Sequence, residues 1–119
     1  MQLREILKTK GSSDVFKIEP TASLADVVQK LVENRCGSLV VCDGETMVGI
    51  ISERDILIAV AEVSEPLHAI TVQRRMTIDV ITGSPDDAVN DIMGLMTQNR
   101  IRHLPILDDK TLVGLISIG

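Results

Sequence analysis

The apolar positions of the chain fall into short blocks with two different periods. Leu24, Val27, Val28, Leu31 and Val32 recur at the spacing of a helix packed on one side, and Val89, Ile92, Met93 and Met96 repeat that stripe later. Two pairs of short blocks follow, residues 38–42 with 47–52 and 103–107 with 112–117, the second of each pair apolar on both faces. Their length and composition predict covered strands, joined by turns at Asp43-Gly44-Glu45 and Asp108-Asp109-Lys110. Each helical stripe follows a short extended entry (Val15 to Ile18, Val80 to Thr82), a proline (Pro20, Pro85) and a helix-capping residue (Thr21, Asp86). A further helix is expected from Ser52 through Asp55, Ile56, Leu57 and Ile58 to about Glu62, with Pro66 barring its continuation.

These blocks are two copies of one unit. Residues 15–54 align with residues 80–119 at a constant offset of 65 without a gap. The identical pairs include Pro20/Pro85, Asp26/Asp91, Asn34/Asn99, Arg35/Arg100, Leu39/Leu104, Asp43/Asp108, Val48/Val113, Gly49/Gly114, Ile51/Ile116 and Ser52/Ser117. The expected fold is α/β of the mixed α+β kind, with two pseudo-symmetric beta-alpha-beta-beta-alpha units packed sheet to sheet. A unit of about 50 residues hides too little surface to stand alone, so the two should share a core. The repeat divides the chain at 1–65, the first unit with its N-terminal segment, and 66–119, a linker and the second unit. The second copy reaches Gly119 where the first runs on to Asp55, so the second unit is expected without its last helix.

Composition narrows the function. One Phe, no Tyr and no Trp leave no platform for stacking bases, and a net charge of -5 repels a phosphate backbone. Nucleic-acid binding is therefore disfavoured. No apolar run is long enough for a membrane span, and charges interrupt the apolar positions of Met1 to Lys10, so a cytoplasmic, non-membrane protein is expected. Cys36 and Cys42 lack any CxxC or histidine company and read as small buried side chains. No nucleophile with a base, metal set or glycine-rich phosphate loop is present, which points away from an enzyme and from any required cofactor. Pro85-Asp86-Asp87 matches Pro20-Thr21-Ala22 and reads as capping, not paired catalytic acids.

One candidate site remains. Ser52-Glu53-Arg54-Asp55 closes an apolar strand and opens a helix, where free amides and the positive end of the helix dipole favour an anion. A carboxylate three residues along could accept from two hydroxyls. The same spacing also makes a capping box that needs no ligand, and the residues alone leave both readings open. Arg102 and His103 are adjacent, so on a strand only one can enter a given cleft; the permanent charge and forked donors of Arg102 favour it over His103.

Asn34-Arg35-x-Gly37-Ser38-Leu39-Val40-Val41 with Val48-Gly49-Ile50-Ile51-Ser52-Glu53-Arg54-Asp55-Ile56, and Asn99-Arg100-Ile101-Arg102-His103-Leu104-Pro105-Ile106 with Val113-Gly114-Leu115-Ile116-Ser117, carry a recognisable signature. Together they resemble a tandem pair of CBS domains, the arrangement called a Bateman module, over essentially the whole chain. Small stand-alone bacterial CBS-pair proteins are closest in pattern. The resemblance implies a regulatory module that senses adenine nucleotides (AMP above ADP, ATP, NAD or S-adenosylmethionine) in clefts between the copies, dimerises, and signals to a regulated protein. It implies that Asp55 holds the ribose, with Ser52 and Arg54 towards the phosphates and Thr77 among the nucleotide-binding residues. The base then lies against Val80, Ile81, Ile101 and Pro105, with Arg102 and His103 at the same cleft. A second cleft would use Val15, Phe16, Cys36 and Gly37 for the base and Ser117 for the sugar-phosphate, its ribose acid falling at position 120. The alternative is a ligand-free dimerisation platform.

Overall fold

The computed structural model describes residues 1–10 and 15–118; Gly119, the last residue aligned with the first copy, lies outside the described residues. The order of elements is α1 (Leu3–Lys10), β1 (Lys17–Ile18), α2 (Leu24–Asn34), β2 (Ser38–Asp43), β3 (Thr46–Ser52), α3 (Glu53–Glu62), a 3-10 turn at Leu67–Ala69, α4 (Val72–Arg75), α5 (Val89–Asn99), β4 (His103–Asp108) and β5 (Thr111–Ser117). Both expected hairpins, with their turns, are present. The chain divides into two compact units, Phe16–Asp79 and Met1–Val15 with Val80–Gly119.

In the Phe16–Asp79 unit, β1 runs parallel to β2 and β2 antiparallel to β3. Leu39 and Val41 of β2 and Ile51 of β3 join Leu24, Val27 and Leu31 of α2 in one buried core. Each of those side chains contributes about 1.5–3 kcal/mol on burial against about 1 kcal/mol for a helix cap, so packing makes α2 a helix and the cap only sets its start. Val32, expected on the packed stripe, is instead 72% exposed. The hairpin turn places Gly44 at φ +63, and a bulge follows Val41.

The other unit repeats the plan. β4 and β5 pair antiparallel with their bulge after Ile106, and Asp109 takes the left-handed place of Gly44 at φ 59. The extended entry expected at Val80 to Thr82 forms no strand. It is reduced to a parallel bridge from Gly83 to Ile106, at the register Ile18 holds with Val41 in the first copy. Leu104, Ile106 and Ile116 pack with Ile92 and Met96 of α5, while Met93 stays exposed. Both helices end on an arginine in the left-handed region, Arg35 at φ 51 and Arg100 at φ 55. There Asn34 and Asn99 each donate through Nδ2 to the carbonyl four residues back, at 2.9 Å. That shared helix ending is the structural content of the repeated Asn-Arg pair.

The helix starts differ from expectation by two residues. Ser23, not Thr21, caps α2, with a full capping box to Asp26; Ala88, not Asp86, stands at the cap of α5 with no side-chain bond. After each proline the chain first makes a turn, Ala22 N–H to Glu19 O at 3.2 Å and Asp87 N–H to Ser84 O at 3.0 Å. The first helical amides then meet a docked segment, Leu24 N–H to Ile70 O and Val89 N–H to Met1 O, both 2.9 Å.

Those docked segments explain why packing does not follow the expected division at residue 65. Residues 1–7 precede the first copy in sequence yet pack on the second, with Leu3 buried beside Ile92 and Met96 and with Leu3 N–H bonded to Asp87 O. Residues 70–76 precede the second copy yet pack on the first, where Val72 N–H bonds Ala22 O and Val72 is fully buried. Each repeat core is thus completed by the segment that leads into the other.

Candidate functional site

Ser52 ends β3 in extended conformation and caps α3. Its N–H donates to Asp55 Oδ2 at 2.9 Å, its hydroxyl donates to the same oxygen at 3.2 Å, and Ser52 Oγ accepts from the Asp55 N–H at 3.4 Å. Thr77 donates through Oγ1 to Asp55 Oδ1 at 3.4 Å. An antiparallel bridge brings it there, with Thr77 N–H to Ile50 O at 2.8 Å and Ile50 N–H to Thr77 O at 3.0 Å. Ser52, Asp55 and Thr77 therefore form one connected cluster at the head of α3. A carboxylate offers about four acceptor directions, so three donors leave Asp55 room for one more. Arg54 is exposed beside it, and its N–H, second in the helix, has no carbonyl one turn back to bond.

The remaining expected residues lie in the other unit. Val80 is half-buried; Ile81 and Ile101 lean on the core of Leu104 and Ile106 while staying partly open. Pro105 is buried in β4, and its carbonyl accepts from Gly83 N–H at 3.0 Å. Arg102 is exposed, with its carbonyl accepting from Ile118 N–H at 3.0 Å, and His103 is half-buried. Gly37 repeats the Arg102 backbone role, accepting from Glu53 N–H at 3.0 Å.

The residues expected at the second cleft are likewise divided. Phe16 and Cys36 pack half-buried against the core of the Phe16–Asp79 unit, whereas Val15 and Ser117 belong to the other. Burial pushes the Cys36 and Cys42 thiols above their ordinary value, consistent with the expected role as packing side chains.

Among the described residues, two buried hydroxyls without a hydrogen-bond partner, Ser38 and Thr71, escaped the sequence reading. Ser38 opens β2 at 2% exposure, and its Oγ has no hydrogen-bond partner. It lies directly opposite Ser52 in the hairpin register. The signal was there to be read: Ser38 is the polar residue of an otherwise apolar block. An apolar groove of about 350 Å³ separately opens between α2 and α3, lined by Val28, Leu31, Val32, Cys36, Ile56 and Leu57. Among the described residues no cluster of three or more His, Cys, Asp or Glu could hold a metal, and no helix is long and apolar enough to cross a membrane.

The repeated hairpins, the helix each carries and the Ser-x-x-Asp helix head define a class, and the chain belongs to the CBS domain family. The family pattern matches twice, at residues 3–62 and 69–119, so the protein is a tandem CBS pair. It is 34% identical over 98% of its length to the mitochondrial CBS domain-containing protein CBSX3 of Arabidopsis thaliana, of which it spans 61%. The chain spans about three fifths of the length of several curated relatives it matches. Among solved structures it is similar to the CBS domain protein NE2398, at 35% identity and TM-score 0.94, covering 99% of this chain and 92% of that one. The Pyrobaculum aerophilum CBS protein PAE2072, solved with AMP, matches at 28% identity and TM-score 0.85 over 98% of this chain and 87% of that one. The CBS pair of MJ0100, solved with 5-methylthioadenosine and S-adenosylmethionine, matches at 25% identity and TM-score 0.84 over 98% and 89%.

Proposed function

We propose that this CBS pair is a regulatory module that binds an adenosine-containing ligand, AMP foremost, and passes its occupancy to a regulated protein without catalysing a reaction. One observation carries the reading: Asp55 stands at the head of α3, oriented by Ser52 and Thr77, with acceptor capacity left for a ribose hydroxyl. AMP, methylthioadenosine and S-adenosylmethionine, the ligands of the two relatives above, share adenosine and differ beyond it, which supports a site built around base and ribose. In this reading the base rests against Val80, Ile81, Ile101 and Pro105. Arg54 and Arg102 meet the phosphate, with Ser52 and His103 lining the same cleft, and a second cleft draws on Val15, Phe16, Cys36, Gly37 and Ser117. A ligand can signal only by preferring one arrangement of the two copies. The module works in the cytoplasm as a homodimer through the α2–α3 face, where Val32, Leu57 and Val60 are exposed at 72%, 69% and 57%.

Calorimetry with AMP tests this. Asp55→Ala removes charge-assisted hydrogen bonds worth about 1.5–3 kcal/mol, so affinity should fall roughly ten- to hundredfold. Unchanged affinity in Asp55→Ala would show the site to lie elsewhere. A second reading, a ligand-free dimerisation platform, is favoured by the closed capping box itself, since Ser52 and Asp55 satisfy each other with nothing bound. It predicts that no adenosine compound binds at all, and that Leu57→Glu alone, by breaking the dimer, abolishes function.

A further inference from the structure

We propose that Ser38 is the hydroxyl that reads the phosphate of the bound nucleotide, a role Ser52 cannot fill. Ser52 has a single hydroxyl proton, and it points to Asp55 Oδ2 at 3.2 Å. Ser38 has the same chemistry and no commitment: its Oγ is buried without a partner, on a side chain only 2% exposed. Buried hydroxyls are nearly always paired, so one left open marks a place where something else supplies the acceptor.

The register says where that place is. Ser38 pairs across the hairpin with Ser52, and directly opposed residues of an antiparallel pair project from the same face of the sheet. Leu39 and Ile51, the neighbouring pair, both enter the helix-side core, so Ser38 and Ser52 project from the opposite face. Ser38 thus sits beside the N-terminus of α3, a ten-residue helix whose Arg54 N–H is open and whose dipole favours an anion. An uncharged atom group would gain one neutral hydrogen bond there. A phosphate oxygen gains a charge-assisted one in the field of the helix, which makes Ser38 a discriminator between AMP and adenosine. The inference rests on the proposed nucleotide site, and assigns within it the donor that Ser52 has given up.

Calorimetry with AMP and with adenosine, on the wild type, Ser38→Ala and Asp55→Ala, tests it. Ser38→Ala should weaken AMP about tenfold, leave adenosine unchanged, and not lower the melting temperature of the ligand-free protein, because the hydroxyl makes no bond there. Equal weakening of AMP and adenosine would overturn the assignment, as would AMP binding unchanged in Ser38→Ala while Asp55→Ala weakens it roughly ten- to hundredfold. Absence of AMP binding in the wild type would overturn the nucleotide site itself, and the role of Ser38 with it.

Discussion

A Cβ on Gly49 would come within 2.7 Å of the Thr77 carbonyl oxygen, closer than real side chains approach a backbone oxygen. Gly49 is therefore the residue that lets the segment ending at Thr77 lie flat on β3, where the Ile50–Thr77 bridge closes and Thr77 reaches Asp55. Gly49→Ala should cost about 1–3 kcal/mol in urea unfolding, since backbone must move. At the matched position, a Cβ on Gly114 would run into Leu7 Cδ2, the end of a side chain that can change rotamer. Gly114→Ala should thus cost clearly less than Gly49→Ala. Equal costs would mean that the docked segment yields as easily as a leucine does.

The two copies differ at their helix caps, and the difference can be removed. Ser23 holds Asp26 in a reciprocal box with both bonds at 3.1 Å, while Ala88 faces Asp91 with no side chain to offer. Ala88 is exposed and already extended, at φ -72 and ψ 137. Ala88→Ser should raise stability by about 0.5–1 kcal/mol, and Ser23→Ala should lower it by about 1 kcal/mol, as read by thermal unfolding.

What the sequence revealed followed from pattern, and what it hid followed from contacts far along the chain. Both hairpins were legible within a residue because β3 and β5 are apolar on both faces and turn residues part each from the strand before it at the same place. The caps were misplaced because Pro20 and Pro85 suggest an immediate helix start, whereas the backbone first turns to meet Ile70 and Met1. Those docking segments were invisible to the gapless repeat. Leu3 acts as Val72 and Leu7 as Met76, four residues out of step with the offset of 65 that aligns everything else. At the candidate site, Ser52 and Asp55 were legible as one four-residue Ser-x-x-Asp motif. The Thr77 bond to Asp55 was not readable from spacing, because it spans 22 residues and depends on the Ile50 bridge.

The thiols make the protein sensitive to alkali. Burial, the leading cause, raises both Cys36 and Cys42 above the ordinary thiol value. A thiol whose folded value exceeds its unfolded one keeps its proton longer in the native state. Its contribution is therefore intact below the unfolded value, about 8.5, and is lost as pH climbs through the folded one. Unfolding free energy should decline above about pH 8.5, and the decline should shrink in Cys36→Ala and Cys42→Ala. Iodoacetamide followed by mass spectrometry gives an independent check. Cys36, half-buried, should react more slowly than a free cysteine, and Cys42, buried in β2, more slowly still. Faster labelling of Cys42 would mean that β2 opens more readily than its central place in the sheet allows.

The lack of aromatic residues turns ultraviolet absorbance into a ligand assay. With no Trp, no Tyr and one Phe, the polypeptide is nearly transparent where adenine absorbs. Adenine needs no aromatic partner, since aliphatic side chains such as Val80 and Ile101 can sandwich it. A preparation that carries its ligand should show a purine band that disappears on unfolding and dialysis. Returning AMP to the stripped protein at a hundred times its dissociation constant adds about 2.7 kcal/mol, on the order of a 10 °C rise in melting temperature. Asp55→Ala should weaken the band and cut the stabilisation to about 0.4–1.4 kcal/mol at the same AMP concentration while Ala88→Ser keeps both, which ties the signal to the head of α3. A shift of the same size in Asp55→Ala would place the adenine somewhere other than the Ser52–Asp55–Thr77 cluster.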